Sequence, residues 1–91
     1  MKNQIIITVQ GVDNVGIVAE VATLLAKLEV NIEDIKQSLI QDHFVMFMLC
    51  NIEKSNYSFK DIKEALTNKG AELKMEIWVQ RKEIFDNMHN V

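Results

Sequence analysis

The chain opens on "QIIITVQ", residues 4–10, a short β-branched run that reads as a buried strand closed by Gly11. From Asn14 the spacing changes. Ile17, Val18, Val21, Leu24, Leu25 and Leu28 recur with the period of one helix face, which predicts a helix burying Leu24, Leu25 and Leu28 against a sheet. Asp13 or Asn14 suits its N-cap, because a short side-chain oxygen there accepts an otherwise unpaired backbone N–H. "NIEDIKQSLI" and "HFVMFMLCNI" follow, separated by Gln41 and Asp42, a spacing that predicts a hairpin. The first of these strands carries Glu33, Asp34 and Lys36 and suits a sheet edge, whereas the second is apolar on both faces and suits the middle.

Ser58 with Asp61 three residues on marks a second helix start, whose stripe is Phe59, Ile62, Ala65 and Leu66, with Gly70 as the expected residue just past its end. In "ELKMEIWVQ", Leu73, Met75, Ile77 and Val79 alternate with Glu72, Lys74, Glu76 and Gln80, a half-buried strand. Ile84, Phe85 and Met88 give the tail, about 82–91, an amphipathic helical spacing. The order β-α-β-β-α-β predicts an α+β fold of the ferredoxin-like kind. Two right-handed split βαβ units build a four-stranded antiparallel sheet with both main helices on one face, and a short extra C-terminal helix is added. The alternation of Val45, Phe47 and Leu49 with Phe44, Met46 and Met48 means that both faces of the third strand need cover. Two helices cover only one, so the other face, with Ile6 and Trp78, predicts a homodimer or higher oligomer.

The 91 residues suffice for a single domain, 1–91, with one core. With 48% apolar residues and both charge signs interspersed the chain reads as globular. A net charge of −3 and a single arginine, Arg81, argue against a nucleic-acid partner. Residues 1–10 lack the features of a secretory signal, and no apolar run reaches the roughly 20 residues of a membrane span. A cytoplasmic location with no membrane partner is the expectation.

The chemistry-bearing residues do not group. His43 and His89 lie far apart with no Cys or His at metal-ligand spacing, and His43 beside Asp42 reads as a turn histidine. Cys50 is alone in an apolar run, as a buried inert thiol would be. Nucleophile-elbow, phosphate-loop and dinucleotide motifs are missing, and Asp34, Asp42 and Asp61 fall in different elements. The expectation is a protein that is not an enzyme, with no cofactor and no metal. Two other uses of this topology also lack their residues. The first loop has no pair of thiols for copper, and the first strand has isoleucines where an RNA-binding sheet needs aromatics.

One stretch does stand out. "GVDNVGIVAEVATLLAKLEVNIEDI" resembles the ACT domain, a small regulatory module of many enzymes of amino-acid metabolism, through Asp13, Asn14, Gly16, Ile17, Asn31 and Ile32 in order and spacing. The likeness covers nearly the whole chain. It extends to small single-domain ACT proteins of bacteria and archaea and to the N-terminal modules of glycine-cleavage regulators and formyltetrahydrofolate deformylases. The resemblance implies an amino acid or related metabolite as ligand, held between this loop of one subunit and the start of strand two of its partner. By that analogy the ligand-binding residues are Gly11, Asp13, Asn14, Val15, Gly16, Ile17 and Asn31. The backbone N–H groups of Asn14 to Ile17 hold a carboxylate, Asp13 faces an ammonium group, and the Asn31 amide bonds across the interface.

Each residue also has a plainer reading: Asp13 as a helix cap, Asn31 as a turn residue satisfying its own backbone. Two departures from the family pattern matter. Gly11 stands where some amino-acid-binding members have a polar or histidine side chain, and the first helix ends at Glu29, where the family often has glycine. A second function class stays open beside the first: an interaction domain without ligand, docking on a metabolic enzyme or regulator.

Overall fold

β1 (Gln4–Val12) owes its central place to five consecutive β-branched residues, of which Ile5, Ile7 and Val9 are fully buried on one face. A computed structural model describes residues 3–89, with the side chain of His89 left aside; the last two residues of the expected tail lie outside the described residues. After β1 come α1 (Ile17–Lys27), β2 (Asn31–Ile40), β3 (His43–Asn51), α2 (Phe59–Leu73), β4 (Glu76–Arg81) and α3 (Lys82–His89). The strands pair antiparallel in the order β2-β3-β1-β4. Each of α1 and α2 therefore joins two strands with a third between them, the split βαβ arrangement expected from the sequence. β2 is an edge strand and β3 lies inside the sheet.

The core lies between the sheet and the two main helices. Val21, Leu25, Ile62 and Leu66 from the helices are fully buried against Ile5, Ile7, Val9, Met46, Met48 and Cys50 from the sheet. Leu28 is buried as expected, and Leu24 is only half-covered at the edge of the cluster. Ser58 caps α2 through its side-chain oxygen, which accepts the Asp61 N–H at 3.1 Å.

Both helix ends close with paired backbone bonds and a residue in the left-handed region. After α1 the Glu29 and Val30 N–H groups return to the carbonyls of Ala26 (3.1 Å) and Leu25 (2.9 Å), and Glu29 takes φ 60°. After α2 the Lys74 and Met75 N–H groups return to Ala71 (3.3 Å) and Gly70 (2.8 Å), and Lys74 takes φ 59°. This corrects the expected end of α2: Gly70 is a buried residue inside the helix, which runs on to Leu73 and takes the first part of the expected fourth strand. Gly70 is there for space. A Cβ on it would lie 2.9 Å from the Met75 carbonyl oxygen and 3.0 Å from Ile77 Cγ1, so its absence lets α2 lie against the start of β4.

The strand β1 also runs past Gly11 to Val12. Gly11 has φ 154°, and the position of its missing Cβ is 2.7 Å from Met75 Sδ, so here too the glycine makes room for a core side chain.

The sheet face away from α1 and α2 has cover of its own. α3 crosses it, setting Phe85 edge-on to Phe47 with ring centroids 6.3 Å apart, while Gln80 Nε2 lies 3.3 Å from Met88 Sδ. α3 is in contact with β1 and β4, and on the open face of β1 only 8% of Ile6 and 6% of Thr8 remains exposed. Ile6 is therefore not part of an exposed patch as expected. Trp78 is, at 51% exposure.

Candidate functional site

The loop from Asp13 to Gly16 leaves the end of β1 beside the β2–β3 turn, where the Asp13 N–H donates to the Asp42 carbonyl at 2.9 Å. Gln41 in that turn has φ 57°. The N-cap of α1 is Gly16, with φ 88° and no side-chain cap, so neither Asp13 nor Asn14 plays the capping role expected of one of them. Asn14 instead accepts its neighbour's N–H, Val15 N to Asn14 Oδ1 at 3.0 Å. Gly16 occupies this conformation because an L side chain at φ 88° is strained. Among the described residues no atom beyond its chain neighbours lies within 4 Å of where its Cβ would be, so the start of α1 has open space beside it. Val15 is fully exposed and Ile17 turns into the core.

Among the described residues the Asp13 carboxylate has no hydrogen bond or ion pair. It stands on the rim of a hollow of about 300 Å³ with Gln37, Ser38, Leu39 and Phe44. The first-turn N–H groups of α1, which a helix leaves without partners in its own backbone, lie at the same end of the molecule.

Asn31 is elsewhere. It begins β2, opposite Asn51, and roughly 30 Å of strand separates it from the loop end. It lines a second hollow, of about 380 Å³, with Glu29, Val30, Asn51, Glu53 and Lys54. Its neighbours are held: Glu33 accepts from Gln4 Nε2 (2.8 Å) and Asn51 Nδ2 (3.3 Å), Asn51 Oδ1 accepts the Glu53 N–H (2.8 Å), and Glu29 Oε1 accepts the Asn56 N–H (3.0 Å). The Asn31 amide makes no such bond among the described residues, so it does not serve as a turn residue satisfying its own backbone. A single chain thus groups Gly11, Asp13, Asn14, Val15, Gly16 and Ile17 at one end of the sheet and leaves Asn31 at the other.

The sequence reading missed the residues that complete each hollow. Gln37, Ser38 and Leu39 reach the loop because the β2–β3 register sets Ser38 opposite Val45 and Leu39 opposite Phe44. Asn51 comes opposite Asn31 only because a bulge between Ile32 and Asp34 shifts this pairing by one residue. The two-residue turn was the signal for the first hollow, since a hairpin's register follows from its loop length. It would have set Asn31 opposite Ile52, and nothing in the sequence marks the bulge.

The remaining chemistry-bearing side chains are apart from both hollows. His43 Nε2 sits 3.4 Å from Gln10 Oε1 at the hairpin. Among the described residues no group of three or more His, Cys, Asp or Glu is placed to hold a metal, and no helix is long and apolar enough to cross a membrane. Cys50 is fully buried, and burial, then the nearby Glu33 charge, pushes its thiol up to about 12. Its thiolate is therefore scarce in the folded protein, and thiol reagents at neutral pH are expected to modify it only through unfolding. An unfolded chain loses this proton near pH 9 and the folded one near 12. The folded state binds the proton more tightly, so the contribution to stability is complete below pH 9 and declines as pH rises from there towards 12. Denaturant midpoints measured across that range for the parent and Cys50→Ala check this: the parent should lose more.

Comparison with known proteins agrees with the fold. The model of the ACT domain matches residues 3–80. A UPF0237 protein of Listeria innocua is 45% identical over 86 residues, 94% of this chain and 97% of that one. The ACT domain protein from Streptococcus pneumoniae superimposes with a TM-score of 0.79 at 32% identity, covering 91% of this chain and 93% of that one. A putative glycine cleavage system transcriptional repressor matches with a TM-score of 0.76 at 26% identity, over 86% of this chain but 44% of that longer one.

Proposed function

Since this chain belongs to the ACT domain family, we propose that it is a regulatory module that binds an amino acid or a related metabolite in a site shared between two copies. The observation that carries this is a pair of polar side chains without partners among the described residues, Asn31 at the start of the edge strand β2 and Asp13 in the loop beside the turn that ends it. Two β2 strands paired antiparallel about a two-fold axis set the start of each beside the end of the other. Asn31 of one copy then comes to the end of the sheet that carries the loop of the second.

Ile35 and Leu39 favour this pairing. They stand on the helix side of β2 beyond the cover of α1, 37% and 57% exposed, and a second copy would bury them. In the shared site a ligand carboxylate lies against the N–H groups of Asn14, Gly16 and Ile17, where the helix dipole favours an anion. Val15 lines the loop, but its own N–H is engaged by Asn14. Gly11 sets the path of the chain into the loop. The Asp13 carboxylate meets the ligand's ammonium group, and the Asn31 amide supplies a directional bond from the other copy.

The twenty amino acids, screened singly by thermal shift, test this reading. A ligand present at a hundred times its dissociation constant stabilises by about 2.7 kcal/mol. For a domain of this size each kcal/mol moves the midpoint by roughly 4–8 °C. One or a few amino acids should therefore raise it clearly, and a flat screen would count against the reading.

The other reading is an interaction domain that holds no ligand and docks on a metabolic enzyme or regulator. What favours it is that this module matches under half of the putative transcriptional repressor, where it is joined to further chain. A flat screen would favour it.

A further inference from the structure

The second edge of the sheet is formed by β4, whose two charges, Glu76 and Arg81, stand at its ends, and whose middle, Ile77–Gln80, carries none of the charge, proline or bulge that keeps an edge strand from pairing. A groove of about 700 Å³ lies over the open face of β1 and β3, between Phe47, Phe85 and Trp78, and reaches round the β4 edge to Lys63 and Thr67 of α2. Where the groove passes this edge, the outward backbone groups of β4 have no strand beside them, which is what an added strand pairs with. We propose that this edge pairs with β4 of a second copy of the chain, about a two-fold axis through Trp78.

The occupant follows from the alternation of side chains. Glu76, Trp78 and Gln80 lie on the face of Thr8 and Gln10, and Ile77 and Val79 on the face of the main helices. In an antiparallel pair, directly opposed residues share a face, so the two-fold axis must pass through a residue position. Centred on Trp78, the strand is complementary to itself: Ile77 opposes Val79, Glu76 opposes Gln80, and indole opposes indole. Shifting the centre to Val79 sets Ile77 against Arg81, and shifting it to Ile77 sets Glu76 against Trp78. Trp78 is the apolar side chain of β4 that stays half exposed, and a tryptophan at the centre of an interface is the kind of anchor that carries binding. Pairing at β4 leaves the main helices of both copies on the same side of the joined sheet, and it occupies a different edge from β2.

Disulfide mapping of the full chain tests the register while keeping Trp78. Glu76→Cys and Gln80→Cys are made separately, both at exposed or half-exposed positions, and the parent's buried Cys50 serves as the silent control. Opposed residues in a strand pair have their Cα atoms roughly 4.5–5.5 Å apart, within disulfide reach. Two copies of residue 76, or of residue 80, are offset by four strand residues, about 13 Å. An equimolar mixture under mild oxidation should give a covalent dimer at least about ten-fold faster than either variant alone. Linking that is as fast in one variant alone, or no linking in a mixture whose circular dichroism and melting match the parent, would overturn the proposal. Whether β2 pairs does not affect the outcome.

Discussion

Leu25→Ala is expected to remove about 2–5 kcal/mol of stability, a large fraction of what a domain of this size has. Leu25 is fully buried at the centre of the inner face of α1, with Val21 one turn before it and Leu28 one turn after. Truncation removes the transfer free energy of the lost carbons and leaves a cavity that neighbours fixed in the sheet fill only partly. Leu24 supplies the contrast, since it is only half-covered and Leu24→Ala should cost clearly less. A urea titration of both variants checks the assignment. If Leu24→Ala proves the more damaging, the inner face of α1 has been misplaced by one residue.

Gly70→Ala carries the second large effect, and its sign is opposite to what helix propensity alone predicts. Inside an exposed helix this substitution stabilises by about 0.4–1 kcal/mol. Here the new methyl would sit 2.9 Å from the Met75 carbonyl oxygen, which is backbone and has little room to move. Overpacking of this kind costs typically about 1–3 kcal/mol, so Gly70→Ala should lower the denaturation midpoint. A midpoint equal to or above that of the parent would mean that α2 stands further from β4 than a 2.9 Å approach to the Met75 carbonyl allows.

The same glycine shows where the sequence was and was not legible. Element types follow from periodicity in β1 and in the stripe from Ile17 to Leu28, and the strand order then follows from the order of elements and the handedness of split βαβ units. The end of α2 is less legible, because a glycine near a helix end satisfies two needs, positive φ and close approach, and the sequence does not say which. Lys74 takes the positive φ instead, as Glu29 does after α1. The cap of α1 was misread for a related reason. Asp13 and Asn14 are both good caps by type, but the chain takes its last turn at Gly16, and that leaves the Asp13 carboxylate without a partner among the described residues.

The cover over the open sheet face could not be read from the tail alone. Amphipathic spacing says that Ile84, Phe85 and Met88 share a face but not which surface that face meets, and the meeting of Phe85 with Phe47 is a tertiary fact. For the candidate site, the loop was legible as a unit because its residues are consecutive. Its relation to Asn31 was not, since the strand between them holds the two apart in one chain.

If two copies share each site, one giving the loop and the other giving Asn31, two variants that are each defective alone should restore binding to one another. Asp13→Asn and Asn31→Ala are prepared separately, mixed in equal amounts under exchange conditions, and titrated calorimetrically with the amino acid that gives the largest thermal shift. Each variant alone should show no measurable binding, because every site in it lacks one of the two groups. In the mixture half the dimers pair one variant with the other, and each of those carries one site with both groups intact, so about a quarter of all sites should bind with parental affinity. A mixture that binds no better than its separate components, or an Asp13→Asn or Asn31→Ala chain that binds as tightly as the parent, would contradict the shared site.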